Sequence, residues 1–119
     1  MKRVLVIEDN ENNLYLIRFI LEKNGYEVIE ARDGLIGVKL ALEEKPYLIL
    51  MDIQLPVLNG YEAMKKIRSF KETKDIPIIA LTSYAMVGDK EKALNMGFTG
   101  YIEKPINPET IIVEIEKYL

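Results

Sequence analysis

Tyr47-Leu48-Ile49-Leu50-Met51-Asp52, followed by Ile53-Gln54-Leu55-Pro56-Val57-Leu58-Asn59-Gly60, decides the fold. An apolar run ends abruptly at an acid and gives way to a turn containing Pro, Asn and Gly. With no polar alternation, the run reads as a central strand covered on both faces. Working outward, other apolar runs stop in the same way. Val4 to Ile7 ends at Glu8-Asp9, Ile78 to Leu81 ends at Thr82-Ser83, and Tyr101-Ile102 leads into Glu103-Lys104-Pro105. If these runs are parallel strands, three carboxylates, a hydroxyl and an ammonium meet at one sheet edge. Ligands of open α/β sheets bind at that carboxyl edge. This set of groups suits a divalent cation and a phosphoryl group.

Helix-period segments separate the runs. The spacing predicts a helix over residues 12–24 with Leu14, Ile17, Ile20 and Leu21 inward, stopped at Gly25. A second run, 26–31, alternates Val28 with Glu30, as a half-exposed edge strand does. A helix from Asp33-Gly34 to Glu44 is expected to turn Leu35, Val38, Ala41 and Leu42 inward. The helix after Gly60 runs to Phe70 and presents Met64 and Ile67, and another over 87–96 ends at Gly97. The last opens at Asn107-Pro108, a good cap followed by Pro at the first helical position, with Ile111, Ile112, Ile115 and Leu119 on one stripe. Five βα units with right-handed crossovers give one α/β domain, a doubly wound parallel sheet. The edge character of the second run favours the strand order 2-1-3-4-5.

The chain has 119 residues, 49% hydrophobic and 29% charged, enough for one core but not two. A net charge of −3 without blocks of like charge makes nucleic acid and anionic membrane poor partners. There is no Cys, so disulfides and thiolate metal sites are excluded. There is also no His, which excludes imidazole acid–base catalysis, imidazole metal ligation and a phosphohistidine carried by this chain. No segment approaches the roughly 20 apolar residues of a membrane-spanning helix, and a cytoplasmic protein is expected.

Taken singly, the polar sites are ordinary. Glu8-Asp9 is an acidic pair of the kind usually solvated in a turn, Asp52 an organiser of the turn after it, and Thr82-Ser83 a helix cap. Lys104 is a surface lysine and Tyr101 an edge-strand aromatic packed against a helix. Together they change the odds, because all fall at the same end of successive elements. Three carboxylates held close together resist ionisation unless a cation is present. Mg²⁺, a hard ion satisfied by oxygen ligands and retained waters, meets that need, and Lys104 offers a second positive charge.

The chain resembles a response-regulator receiver domain from Glu8-Asp9 through Met51-Asp52, Pro56, Gly60 and Thr82 to Lys104-Pro105. The resemblance covers essentially all of residues 1–119 and is strongest to single-domain regulators and to receivers of hybrid histidine kinases. It implies the flavodoxin-like (βα)5 fold, and a phosphorylation-controlled switch rather than an enzyme. Asp52 would accept a phosphoryl group from a histidine kinase or histidine phosphotransfer protein. Asp9, Asp52 and the main-chain carbonyl of Gln54 would ligate Mg²⁺, with Glu8 acting through water. Glu8 replaces the more frequent Asp, a variant the family accepts. Thr82 and Lys104 would contact the phosphoryl group, and the Lys104–Pro105 bond would be cis. Tyr101 would swing from an exposed position into space vacated by Thr82, remodelling the 87–119 face for a downstream protein. A monomer or weak homodimer is implied. Gln54 and Tyr84 would flank the path of attacking water and favour a long-lived aspartyl phosphate.

Other readings remain beside it. A Mg²⁺-dependent phosphohydrolase with an aspartyl nucleophile would need an acid/base Asp at the position of Gln54. A mononucleotide or flavin binder would need a Gly-rich or hydroxyl-rich loop after the first strand, where Glu8-Asp9-Asn10-Glu11 stands. A pseudo-receiver would lack one of the key residues. No output module follows the fifth helix, so output is expected to come from partner binding, or the chain is a receiver cut from a larger protein.

Overall fold

Alternate residues of each apolar run point to opposite faces of a sheet, and here both faces are covered. The computed structural model describes residues 1–83 and 87–119. Its strands are β1 (Arg3–Ile7), β2 (Glu27–Ala31), β3 (Leu48–Asp52), β4 (Ile78–Thr82) and β5 (Gly100–Glu103). Between them run α1 (Glu11–Lys23), α2 (Gly34–Glu44), α3 (Gly60–Arg68) and α4 (Asp89–Met96), with α5 (Ile111–Glu116) last. The strands are all parallel in the order β2-β1-β3-β4-β5, as expected.

Leu5, Ile7, Ile49, Met51, Ile78 and Ala80 share one buried layer with Val38, Ala41, Met64, Ile67 and Ala93 of α2, α3 and α4. Val4, Val6, Leu48, Leu50, Ile79 and Leu81 share the other with Leu14, Ile17 and Leu21 of α1 and Ile111 and Ile115 of α5. Edge strand β2 is buried fully only at Ala31. The register sets Ile7 beside Met51 and Asp52 beside Leu81, so successive strands end at nearly one level.

Side-chain caps fix where the helices leave that edge. Asn10 accepts the Asn13 N–H at 2.9 Å and Asp33 the Ile36 N–H at 2.8 Å. Asn59 and Glu62 form a reciprocal capping box. Gly60 closes the β3–α3 loop by donating its N–H to the Ile53 carbonyl at 2.7 Å. A Cβ on Gly60 would meet the Asp52 carbonyl oxygen at 2.6 Å, so only glycine lets α3 begin this close to the acid.

Some expected orientations differ. Leu35 is 54% exposed rather than inward. The buried residues of α2 are Gly34, Gly37, Val38 and Ala41. A Cβ on Gly37 would lie 2.5 Å from Ile7 Cδ1, so the helix packs too closely for a larger residue and Leu35 faces out. Leu119 is exposed because α5 stops at Glu116. Asn107 does accept the Glu109 N–H, but Pro108 lies in a turn and regular helix begins at Ile111. Val87 precedes α4, whose start is marked by Gly88 at φ +90°. Among the described residues, no helix is long and apolar enough to cross a membrane.

Candidate functional site

β1, β3, β4 and β5 each deliver one polar group to the carboxyl edge. Glu8 follows β1, its N–H held by the Ala31 carbonyl at 2.9 Å, and its side chain is fully buried. Asp52 ends β3 and is only 6% exposed. Thr82 ends β4, also buried, and Lys104 follows β5 with its N–H on the Thr82 carbonyl at 2.7 Å. The Lys104–Pro105 peptide is cis, as expected.

Lys104 Nζ lies 2.5 Å from Glu8 Oε1 and 3.3 Å from Asp52 Oδ2. Glu8 Oε2 accepts the Asn10 N–H at 3.2 Å, and Asp52 Oδ1 accepts the Gln54 N–H at 3.1 Å. Asp9 is exposed beside them, and one carboxylate oxygen from each of Glu8, Asp9 and Asp52 falls within a mutual 4.8 Å. Burial pushes the Glu8 carboxyl above its ordinary 4.5 and the Asp52 charge adds to the rise. The Lys104 hydrogen bond and charge, with the Asn10 N–H, pull it back. Two buried acids thus share one buried ammonium while a third acid faces solvent.

The structure therefore brings together Glu8, Asp9, Asp52, Lys104 and the main chain of Gln54. Lys104, expected as a partner for a phosphoryl group, is engaged by carboxylates. Tyr101 differs more. It is 7% exposed, not in the exposed position the resemblance implied, and packs as an edge-strand aromatic against α4 in a buried cluster with Met64, Ala80, Ala93 and Phe98. Burial raises the Tyr101 phenol pKa, the Asp89 and Glu103 charges add to the rise, and the nearby Thr82 hydroxyl opposes it. Tyr84 lies outside the described residues.

One feature was missed in the sequence. A groove of about 350 Å³ is lined by Lys90, Tyr101, Glu103, Glu114, Lys117 and Tyr118, on the face formed by residues 87–119. Tyr118 reaches this position by packing on Gly100, where a Cβ would strike its ring at 2.5 Å. A glycine opening a strand was the available signal.

This arrangement of acids, hydroxyl and lysine on a 2-1-3-4-5 sheet has counterparts among known proteins. The family profile of the response regulator receiver domain matches residues 4–116. The chain belongs to the receiver-domain family. This receiver is 46% identical to the polar-differentiation response regulator DivK of Brucella anthropi over 118 residues, 99% of this chain and 96% of that protein. A Vibrio cholerae chemotaxis response regulator superposes with TM-score 0.93 at 31% identity, covering 100% of this chain and 99% of that one. The receiver domain of a Pseudomonas aeruginosa sensor histidine kinase gives TM-score 0.89 at 36% identity, covering 98% and 96%, and carries a magnesium ion in its active-site cleft. Receivers are the phosphoacceptor switches of two-component signalling, and the acidic cluster here is consistent with that chemistry.

Proposed function

We propose that Asp52 is the phosphoacceptor of this receiver, supplied by a histidine kinase or histidine phosphotransfer protein, and that Glu8, Asp9 and Gln54 complete a Mg²⁺ site. The observation that carries this is the charge balance at the edge. Three carboxylates meet one ammonium, leaving a formal excess of two negative charges. Oxygen-only donors with one solvent-facing acid suit a hard divalent ion that keeps some water. Asp9, Asp52 and the Gln54 carbonyl would hold it directly, and Glu8 through water. When bound, Mg²⁺ would offset that excess and the charge on the transferred phosphoryl oxygens.

The remaining work falls to the chain. The Gln54 N–H fixes the Asp52 carboxylate, so its orientation is set before a donor arrives. An Asp52 oxygen attacks phosphorus, the new P–O bond replaces the P–N bond to the donor imidazole, and the imidazole leaves. Lys104 already touches Asp52 Oδ2 and can exchange a carboxylate contact for a phosphoryl oxygen. Acetyl phosphate with Mg²⁺ tests this. One acid-labile phosphoryl group per chain is expected, whereas sustained release of many equivalents of phosphate would favour the hydrolase reading. Gln54 weighs against that reading, since its amide cannot serve as acid or base.

Phosphorylation adds roughly 1.5 to 2 negative charges at Asp52. A hydroxyl has one donor and two acceptor lone pairs, so Thr82 can turn its single proton toward a phosphoryl oxygen and offer a lone pair to the Tyr101 hydroxyl nearby. Its proton then strengthens the inward arrangement of Tyr101 and thereby the groove for a downstream protein. A phosphoryl group shifts that equilibrium only by interacting differently with the two states, and Thr82 would supply the difference. Thr82→Ala should still be labelled but transmit poorly. Amide NMR with and without beryllofluoride reads this, and equal shifts around Tyr101 in both proteins would refute the coupling.

A further inference from the structure

In α2 only Lys39, Glu43 and Glu44 are polar. A helix apolar nearly all round belongs in an interior, yet here Gly34, Gly37, Val38 and Ala41 alone are buried. Leu35 and Ile36 stand outside, Ile36 at 45% exposure. With Val38, Lys39 and Leu42 they line a shallow hollow of about 490 Å³ on the outer surface. Leu35, Val38 or Lys39, and Leu42 follow the three-and-four spacing of a helix seam. Several large aliphatic side chains gathered on one exposed helix mark an interaction surface.

Charge says what covers it. A helix dipole disfavours anions at its C-terminal end, but the last turn of α2 carries Glu43 and Glu44 and no basic residue. Lys45 at the cap offsets part of this, and Arg3 holds Glu44. Glu43 is left outward, with Lys39 4.0 Å away. At the other end Arg32 and the Asp33 cap cancel, so the positive end of the dipole remains. Two copies of α2 packed antiparallel about a two-fold axis near residues 38 and 39 remove both conflicts at once. Leu35 of each copy then meets Leu42 of the other, and Glu43 of each lies by the first turn and Arg32 of the other.

We propose that α2 is a homodimerisation face whose occupant is a second copy of this chain, antiparallel on the Leu35–Leu42 seam. At about 1.5 Å per residue the helix is only about 16 Å long, so the contact falls well short of the roughly 800 Å² per partner of a stable complex. Each copy therefore folds alone and pairs weakly, with a Kd on the order of 0.1 mM. α2 packs beside β1 and β2, whereas β5 is the opposite edge of the sheet. The 87–119 groove stays free in both copies, and a pair offers a downstream protein two grooves at once.

The test is sedimentation at low salt, from about tenfold below to about tenfold above that Kd, with amide NMR over the same range. Wild type should pass from monomer toward dimer mass, with concentration-dependent shifts on residues 34–44. Leu35→Lys should stay monomeric at the wild-type Tm, and Leu35→Met should dimerise as wild type does. Glu43→Lys should have a higher Tm, since its own dipole is no longer opposed, while its Kd weakens roughly tenfold. A wild type monomeric throughout would overturn the proposal, as would a Leu35→Lys chain that still dimerises. Shifts centred on Lys90, Tyr101 and Lys117 would place the contact on the other face and overturn it too. Equal dimerisation of Glu43→Lys would overturn the antiparallel arrangement.

Discussion

Asp52→Asn is expected to lose acid-labile labelling by acetyl phosphate to background while folding more stably than wild type. The amide keeps the shape of the carboxylate, and its oxygen can still accept the Gln54 N–H. What disappears is the nucleophile and one negative charge. Asp52 raises the pKa of buried Glu8 by repulsion, so its neutralisation relieves that neighbour, and Lys104 keeps its 2.5 Å contact with Glu8. The gain is on the order of 1 kcal/mol, the scale of one partly screened charge interaction. Mass spectrometry of the treated protein and urea unfolding read the two effects together. Stoichiometric label on Asp52→Asn would move the acceptor to Asp9 or Glu8. Lost stability alongside lost label would show that Asp52 contributes more as a partner of Lys104 than it costs as a neighbour of Glu8.

The site was legible in the sequence because strand ends are legible. An apolar run halted by a polar residue marks a carboxyl edge, so Glu8, Asp52, Thr82 and Lys104 could be placed on one edge before any contact was known. Side-chain orientation was harder, since it depends on distances between elements. Leu35 matched a helical stripe, but Gly37 brings α2 so close to Ile7 that the stripe rotates toward the glycines. The edge strand predicts that Tyr101 packs against a helix, as it does with Ala93 of α4 and Phe98; only the exposed position implied by the resemblance differs. Lys104 was placed over the site correctly, but its bond to Glu8 follows from Glu8 being fully buried, a matter of packing depth that no local pattern encodes. Val57 is the clearest case. Its residue type argues for extended backbone, and only the closed turn around it imposes the left-handed conformation.

Lys104→Met should be the most destabilising change in the site. The side chain is 8% exposed and its ammonium serves two buried acids. Methionine preserves much of the apolar stem but leaves Glu8 and Asp52 without a cation. Removing one partner from a buried pair costs about 3–5 kcal/mol, a fall in urea midpoint on the order of 2 M for a domain of this size. The deficit should depend on pH in a definite sense. Burial already raises Glu8 above 4.5, and loss of Lys104 removes the opposing hydrogen bond and charge, so its pKa rises further. A carboxyl raised in the fold contributes stability below its unfolded value and loses it as pH climbs through the folded value. The gap between wild type and Lys104→Met is therefore widest near neutrality and closes as pH falls toward 4.5. Saturating Mg²⁺ should narrow the neutral-pH gap as well, because a cation bound to Asp9 and Asp52 replaces part of the missing charge. Urea unfolding at neutral and acidic pH, with and without Mg²⁺, measures all of this. A gap that ignored both pH and Mg²⁺ would assign the loss to packing of the lysine stem and detach Lys104 from the charge balance at the sheet edge.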